Sequence, residues 1–271
     1  MKKNVFVLIS LIILLFVINY SFLDSLFIDF FDEGEFVVVE RVIDGDTVVV
    51  GDTASLRSRH ENPSQSISVR LLGVNSPERG EQYYDEAKEF LENAVLNKTT
   101  ILKFGKEKYD KYDRILAYVF VENENLNLKL VRNGFANFYF PSGRDIYYDD
   151  FVEAWEECSE NLCKKSKDEC ANCMGLEEFN YENEIVIFHN KCDFDCELTG
   201  WKIKDEGRKN FVFPYFVLES GENVKVIVSG ESASNNKGEL FWIRKDYVWT
   251  NSGDTLFLRD GEGKLVLWES Y

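Results

Sequence analysis

The feature that most constrains the fold is a series of strand-length apolar segments punctuated by turn residues. After Cys173, NEIVIFHN, LTGWKIKD, NFVFP, NVKVIVSG, ELFWI, YVWTN, DTLFLRD and KLVLWESY follow at short intervals, with Gly, Asn and Asp between them. Short apolar runs bounded by such breakers read as strands, and this spacing predicts an all-β sandwich of about 90 residues. Upstream the texture differs, because helical patterns come between the strands. FVVVERVIDGDTVVV (36–50), ISVRLLGV (67–74), TTILKFG (99–105) and ILAYVFVE (115–122) read as strands, with DG as a turn signal and a polar loop at 51–66 that holds Pro63.

YDEAKEFLENAVLN places Ala87, Leu91, Ala94 and Val95 at helical spacing, with its acids mainly in the first turns, where the helix dipole favours them. LNLKLVRNGFA predicts a second helix ending near Gly134, and a third is expected over 146–162. About five short strands with three helices predict a small α+β barrel of the OB-fold type over residues 36–165, joined to the sandwich by a Cys-rich linker at 166–179. A chain of 271 residues, 45% hydrophobic, is large enough for more than one core.

At the N-terminus, Lys2 and Lys3 precede an apolar run over residues 5–18. With no small-residue cleavage site after it, residues 1–23 read as a signal anchor, with a cleaved signal peptide as the alternative. Residues 24–35 follow as an acidic, aromatic spacer. Positive charge on the short N-terminal side predicts an extracytoplasmic chain, anchored to a membrane or secreted.

A net charge of -17 excludes a chain that holds nucleic acid by a bulk positive field. Residues 36–165 carry 17 Lys and Arg against 23 Asp and Glu, a net of -6, so phosphate chemistry here must be local. Residues 103–114 hold five cations against Glu107, Asp110 and Asp113, which reads as a local basic rim or as a solvated charged loop. In RVIDGDTVVV, Asp44 and Asp46 lie two apart and converge on one face if the strand stays regular. Their repulsion then calls for a cation; a DG turn with two solvated acids is the alternative. In VRLLGVNSPE, Arg70 sits among apolar strand residues, where it needs an anionic partner: a phosphate, or a nearby acid. Asn75, Ser76 and Glu78 gather oxygen ligands and a carboxylate at the strand end, and Arg114 begins a later strand behind a charged loop.

Taken in order, VIDGDT, RLLGVNSPE and DKYDRILAY resemble the staphylococcal nuclease family. The resemblance covers residues 36–163 and implies an OB-fold, calcium-dependent phosphodiesterase acting on DNA and RNA. It implies Asp46 as a direct calcium ligand, with Asn75 and the Ser76 carbonyl beside it and Asp44 acting through water. Arg70 and Arg114 match the arginines that grip the scissile phosphate, and Glu78 matches the carboxylate that activates water. Four departures stand out. Asn75 occupies a ligand position that is often Asp in the family, Ser76 replaces a Thr, Asp113 stands where a Gly precedes the second arginine, and the loop before Arg70 is longer. NFYFPSG (137–143) resembles the family's base-stacking aromatic segment, with Phe138, Tyr139 and Phe140 as candidates.

IVIFHNKCDFDCELTGWKIKD, FVFP and WTNSGDTLFLRDGEGKLV resemble the lamin tail domain, which implies an immunoglobulin-like sandwich over residues 180–271, brings no catalytic residues and leaves the sandwich's partner unknown. Trp201, Trp242 and Trp249 read as core aromatics, and His60 and His189 as surface or packing residues. Cys158, Cys163, Cys170, Cys173, Cys192 and Cys196 form an even set around the junction. Outside the cytoplasm they are expected to form disulfides; reduced, the CANC and KCDFDC motifs suit a structural four-thiolate zinc site. The reading that follows is an extracytoplasmic calcium-dependent nuclease of DNA, RNA or both. Its rivals are a catalytically weak nucleic-acid-binding module and an envelope interaction protein acting through the sandwich.

Overall fold

The computed structural model describes residues 34–51, 56, 66–231 and 233–271. The expected N-terminal anchor, most of the spacer, His60 and Pro63 lie outside the described residues. Strands β1 (Gly34–Asp44) and β2 (Thr47–Val50) form a hairpin, β2 pairs with β3 (Ile67–Leu71), and β3 runs parallel to β6 (Ile115–Val121). Strand β5 (Thr99–Lys103) pairs with both β6 and β1, which closes a five-stranded barrel of the OB type. Closure leaves the barrel no free edge among these five strands. A separate two-stranded ladder joins β4 (Gly73–Asn75) to β8 (Asn137–Tyr139). Gly73 is required there: it has φ 72, and a Cβ would meet the rings of Phe151 and Phe140 at 2.8 and 2.9 Å.

Three helices pack on the barrel. Helix α1 (Tyr84–Val95) buries Ala87, Leu91 and Val95, as its periodicity predicts. Strand β7 (Glu124–Asn125) leads into α2 (Leu126–Arg132), whose first N–H groups are capped by Asn125. Buried Asn127 ties α2 to the barrel by donating to the carbonyls of Leu72 and Ala117 and accepting from the Val119 N–H. Helix α3 (Tyr148–Glu156) is shorter than expected. After it the chain reverses, with Asn161 in the left-handed region, and Cys158 is bridged to Cys163.

The sandwich sets a sheet of order β16-β15-β10-β9 against one of order β13-β12-β17-β18. The first contains β9 (Met174–Asn180), β10 (Ile185–Asn190), β15 (Asn223–Ser229) and β16 (Glu239–Ile243). The second contains β12 (Lys202–Lys204), β13 (Asn210–Val212), β17 (Thr255–Arg259) and β18 (Leu265–Ser270). A short pair, β11 (Cys196–Glu197) with β14 (Val217–Leu218), lies beside them. Trp201, Trp242 and Trp249 are buried in this core, and His189 is half-buried, with its Nδ1 at hydrogen-bond distance from Asn223 Oδ1. Strand β9 lies within the stretch expected to be linker. YVWTN, expected as a strand, is a bend: the N–H groups of Val248 and Trp249 donate to the Glu184 carboxylate in place of a neighbouring strand.

The cysteines pair as Cys158–Cys163, Cys170–Cys196 and Cys173–Cys192, with none free. The zinc alternative is therefore corrected, because every sulfur that would bind zinc is committed to another sulfur. Two bridges tie the linker to the sandwich and the third closes a small loop after α3, so no bridge joins the barrel helices to the sandwich. Packing does that instead. Phe257 of β17 and Leu265 of β18 are buried in the barrel's core, with Phe257 against Phe138 and Trp155 and Trp268 against Phe138. Buried Arg259 donates to the Leu162 carbonyl at 2.6 Å, and residues 164–166 bond to Leu265 on both sides.

Candidate active site at the domain seam

The two acids of the opening hairpin do not share a strand face. Asp44 pairs with Thr47 at the end of the ladder, so Gly45 and Asp46 form a two-residue turn. The Asp46 N–H donates to Asp44 Oδ1 at 3.1 Å, which turns the Asp46 side chain inward. Gly45 permits this: a Cβ there would stand 2.8 Å from both Ala87 of α1 and Ser76. Burial, and then repulsion from Asp46, raise Asp44 to about 6.

Asp46 is 6% exposed and strongly engaged. Its Oδ2 accepts from the Ser76 N–H at 2.8 Å and the Ser76 hydroxyl at 3.0 Å, and pairs with Arg70 Nη2 at 3.1 Å. Its Oδ1 accepts from the Thr47 hydroxyl at 3.1 Å. Arg70 sits opposite Thr47 in the β2–β3 ladder and also donates to the Leu71 carbonyl at 2.9 Å. The partner that the strand sequence demands for Arg70 is thus Asp46 itself. A buried charge pair of this kind is costly to break, on the order of 3–5 kcal/mol when one partner is removed.

Asn75 explains its own departure from a carboxylate. Its Nδ2 donates to the backbone carbonyls of Glu206 and Gly207 at 3.1 and 3.0 Å, on the loop 205–209 between β12 and β13 of the sandwich. An aspartate has no hydrogen to offer those carbonyls, so the neutral amide belongs with the attached domain. With both amide hydrogens committed, Oδ1 is the atom left to face a cation. The oxygen set of Asp46, Asn75, the Ser76 carbonyl and nearby Asp44 is the kind that a hard cation such as calcium prefers.

Glu78 and Arg114 stand outside this contact set, each with its own partner. Arg114 donates through Nε to Asp110 at 2.7 Å, and its backbone N–H donates to the same carboxylate. Burial works to raise Asp110, but the bonds from Arg114 and the charge of Arg114 together hold it below the usual carboxylate range. Asp113 has φ 59, so the turn before Arg114 keeps the left-handed geometry that a Gly favours. Glu78 is ion-paired with Arg208 of the sandwich. Of the aromatic segment, Phe138 and Phe140 are buried in the core, while Tyr139 is half-buried beside the 205–209 loop, where a Cβ on Gly207 would lie 3.6 Å from its ring. Burial, and then the charge of Asp205, raise the Tyr139 phenol.

The residues missed in the sequence are two in DEGRK and one in NSGDT. Asp205, Glu206 and Asp254 are buried at the seam; burial raises Asp205 to about 7 and Glu206 to about 8, and raises Asp254 as well. Glu206 accepts from the Phe140 N–H at 2.9 Å and the Thr255 hydroxyl at 2.7 Å. Nothing local in DEGRK distinguishes it from an ordinary charged turn, because the partners of the Glu206 carboxylate are Phe140, 66 residues earlier, and Thr255, 49 residues later.

Residues 68–163 match the family model described as staphylococcal nuclease homologue, and residues 174–271 match the lamin tail domain. A thermonuclease of Staphylococcus intermedius is 34% identical over 120 residues, 42% of this chain and 66% of that protein. A thermonuclease of Staphylococcus hyicus is 31% identical over 134 residues, 46% of this chain and 72% of the relative. An uncharacterized protein of Methanocaldococcus jannaschii is 32% identical over 151 residues, 45% of this chain and 67% of the relative.

Proposed function

The chain belongs to the staphylococcal nuclease family and carries a lamin tail domain behind the nuclease barrel, and we propose that it hydrolyses phosphodiester bonds of DNA, RNA or both with calcium. The observation that carries this reading is the buried cluster of Asp46, Arg70 and Ser76 at one end of a closed barrel, with Asp44 bonded to the Asp46 N–H and buried Asn75 preceding Ser76 in the chain. Arg70 and Arg114 would hold the non-bridging oxygens of the scissile phosphate, where negative charge grows as water attacks phosphorus. Glu78 would accept the proton from that water as the new P–O bond forms and the ester bond breaks. Arg114, charged throughout, would screen the departing oxygen. Asp46, Asn75 Oδ1 and the Ser76 carbonyl would hold calcium, with Asp44 through water; bound there, calcium would add positive charge beside the phosphate.

An extracytoplasmic location is part of the proposal. It is supported by three disulfides, which persist in oxidising compartments, and by the apolar N-terminal segment of the sequence. The rival, a weakly catalytic binding module, draws on the neutral Asn75 and on an Asp46 whose oxygens already serve protein donors.

Cleavage of single-stranded DNA and RNA, with calcium or with chelator, decides between them. The expected result is calcium-dependent cutting that falls about 10²- to 10⁴-fold in Glu78→Gln and in Arg114→Ala without loss of folding. Cutting at the parent rate by both variants would remove the proposed site, and binding without cutting by the parent would favour the binding module.

A further inference from the structure

We propose that Arg208, carried by the sandwich, is a third phosphate-binding residue of the nuclease site, one that exchanges Glu78 for a phosphate of the bound nucleic-acid strand. The inference rests on the nuclease reading above and adds to it a substrate contact from the second domain.

The loop that carries Arg208 is fixed to the barrel through Glu206 and Gly207, the two residues before it. Asn75, the residue before the Ser76 that holds Asp46, donates to the carbonyls of Glu206 and Gly207, and Glu206 in turn accepts from the Phe140 backbone. Asp205 closes the turn by accepting from the Lys209 N–H at 2.8 Å. The base of the Arg208 side chain is therefore placed against the nuclease site by bonds that do not involve its guanidinium. Lys204, at the start of the same turn, lies within the electrostatic reach of Glu81 and Glu78, so the sandwich turns two cations toward this side of the barrel.

The guanidinium itself is loosely held. The Arg208 side chain is 72% exposed and that of Glu78 is 47% exposed. An ion pair in such surroundings is weak, whereas a phosphate offers the planar fork two charged oxygens at once. The barrel's own arginines are more committed: Arg70 is buried against Asp46, and Arg114 is bonded to Asp110. A phosphate arriving beside Glu78 thus meets in Arg208 a cation that is free to turn. Its departure from Glu78 also removes the positive partner from the carboxylate that is to accept a proton, so strand binding and activation of the base are coupled.

Steady-state cleavage of a fluorescent single-stranded DNA oligonucleotide by the full chain with calcium tests this, using Arg208→Ala, Arg208→Lys and Arg208→Glu at several salt concentrations. Arg208→Ala is expected to raise KM about 10-fold with kcat within about two-fold, as for loss of one charged phosphate contact. Arg208→Lys should recover part of the loss and Arg208→Glu should deepen it. The slope of log KM against log salt should become shallower by about 0.7 in Arg208→Ala, the change for one phosphate on a single strand. An unchanged KM and salt slope in a parent that cuts DNA would overturn this inference alone, and so would a rise in kcat, which would make the ion pair a cap on Glu78. A parent that cuts no nucleic acid would sink the nuclease reading and this inference with it. Melting temperatures of the three variants equal to the parent's show that the kinetics report binding and not misfolding.

Discussion

The barrel and the sandwich bury apolar residues in the same manner and buried charges in different ones. In the barrel, Asp46 and Arg70 form an ion pair that is satisfied within one domain. In the sandwich, Asp205, Glu206 and Asp254 share a corner without a buried cation bonded to them, satisfied mainly by N–H groups and a hydroxyl. Burial is what chiefly raises all three, and the charge of Asp254 adds to it at Asp205 and Glu206. The two clusters meet at Asn75, whose amide links the barrel's site to the backbone of the acidic corner. The second domain is thus built into the first at a polar point, and the amide at position 75 supplies hydrogens that a carboxylate would lack.

The largest expected effect separates the two clusters by pH. Glu206 and Asp205 have folded values near 8 and 7, above those of the unfolded chain. The folded state therefore binds more protons, and the stability these groups contribute is fully present below about pH 4 and lost as pH rises through 7 to 8. Urea unfolding between pH 5 and 8.5 should show stability falling with pH, on the order of several kcal/mol, and Glu206→Gln should flatten the slope. The same flattening in Asp46→Asn, and none in Glu206→Gln, would reverse the assignment.

Removing the apolar part of the seam is next. Phe257→Ala takes a ring from between Phe138 and Trp155 and should cost about 3–5 kcal/mol, with both domains losing stability together. A loss confined to the sandwich transition in calorimetry would show that the shared core does not couple the domains. Opening the Cys170–Cys196 bridge by a double Ser substitution removes a link across 26 residues and should cost about 3 kcal/mol, in the sandwich and not in the barrel. Chemical unfolding monitored separately in each domain checks that division.

The smallest effect sharpens the comparison at its meeting point. Asn75→Asp should tighten calcium binding by adding a charged ligand, yet destabilise the calcium-free chain by about 1–3 kcal/mol by facing a carboxylate toward two carbonyls. Calorimetric titration with calcium and a thermal melt in chelator read the two sides. Tighter binding with no loss of stability would mean that the amide does not hold the loop.

These contrasts also mark what was legible in the sequence. Asp46 and Arg70 could be found because a charge inside an apolar strand needs a partner, and each proved to be the other's. The helical face of Ala87, Leu91 and Val95 was legible from spacing alone. YVWTN was misread because burial without strand pairing leaves the same apolar pattern; the N–H groups that a strand partner would take go to Glu184 instead. Strand β9 hid in MGLEEFN, where two exposed glutamates interrupt any alternation. The Arg208 contact with Glu78 was not legible at all, since it depends on how two separately patterned domains are set together.

If the sandwich loop 205–209 belongs to the nuclease site, as proposed, it should respond to substrate together with the barrel. Hydrogen exchange of the full chain, titrated with a phosphorothioate single-stranded oligonucleotide in calcium, reads this out. Backbone amides of the loop 205–209 should gain protection over the same concentration range as those around Arg70 and Arg114. Protection confined to the barrel, with the loop unchanged at saturation, would contradict it.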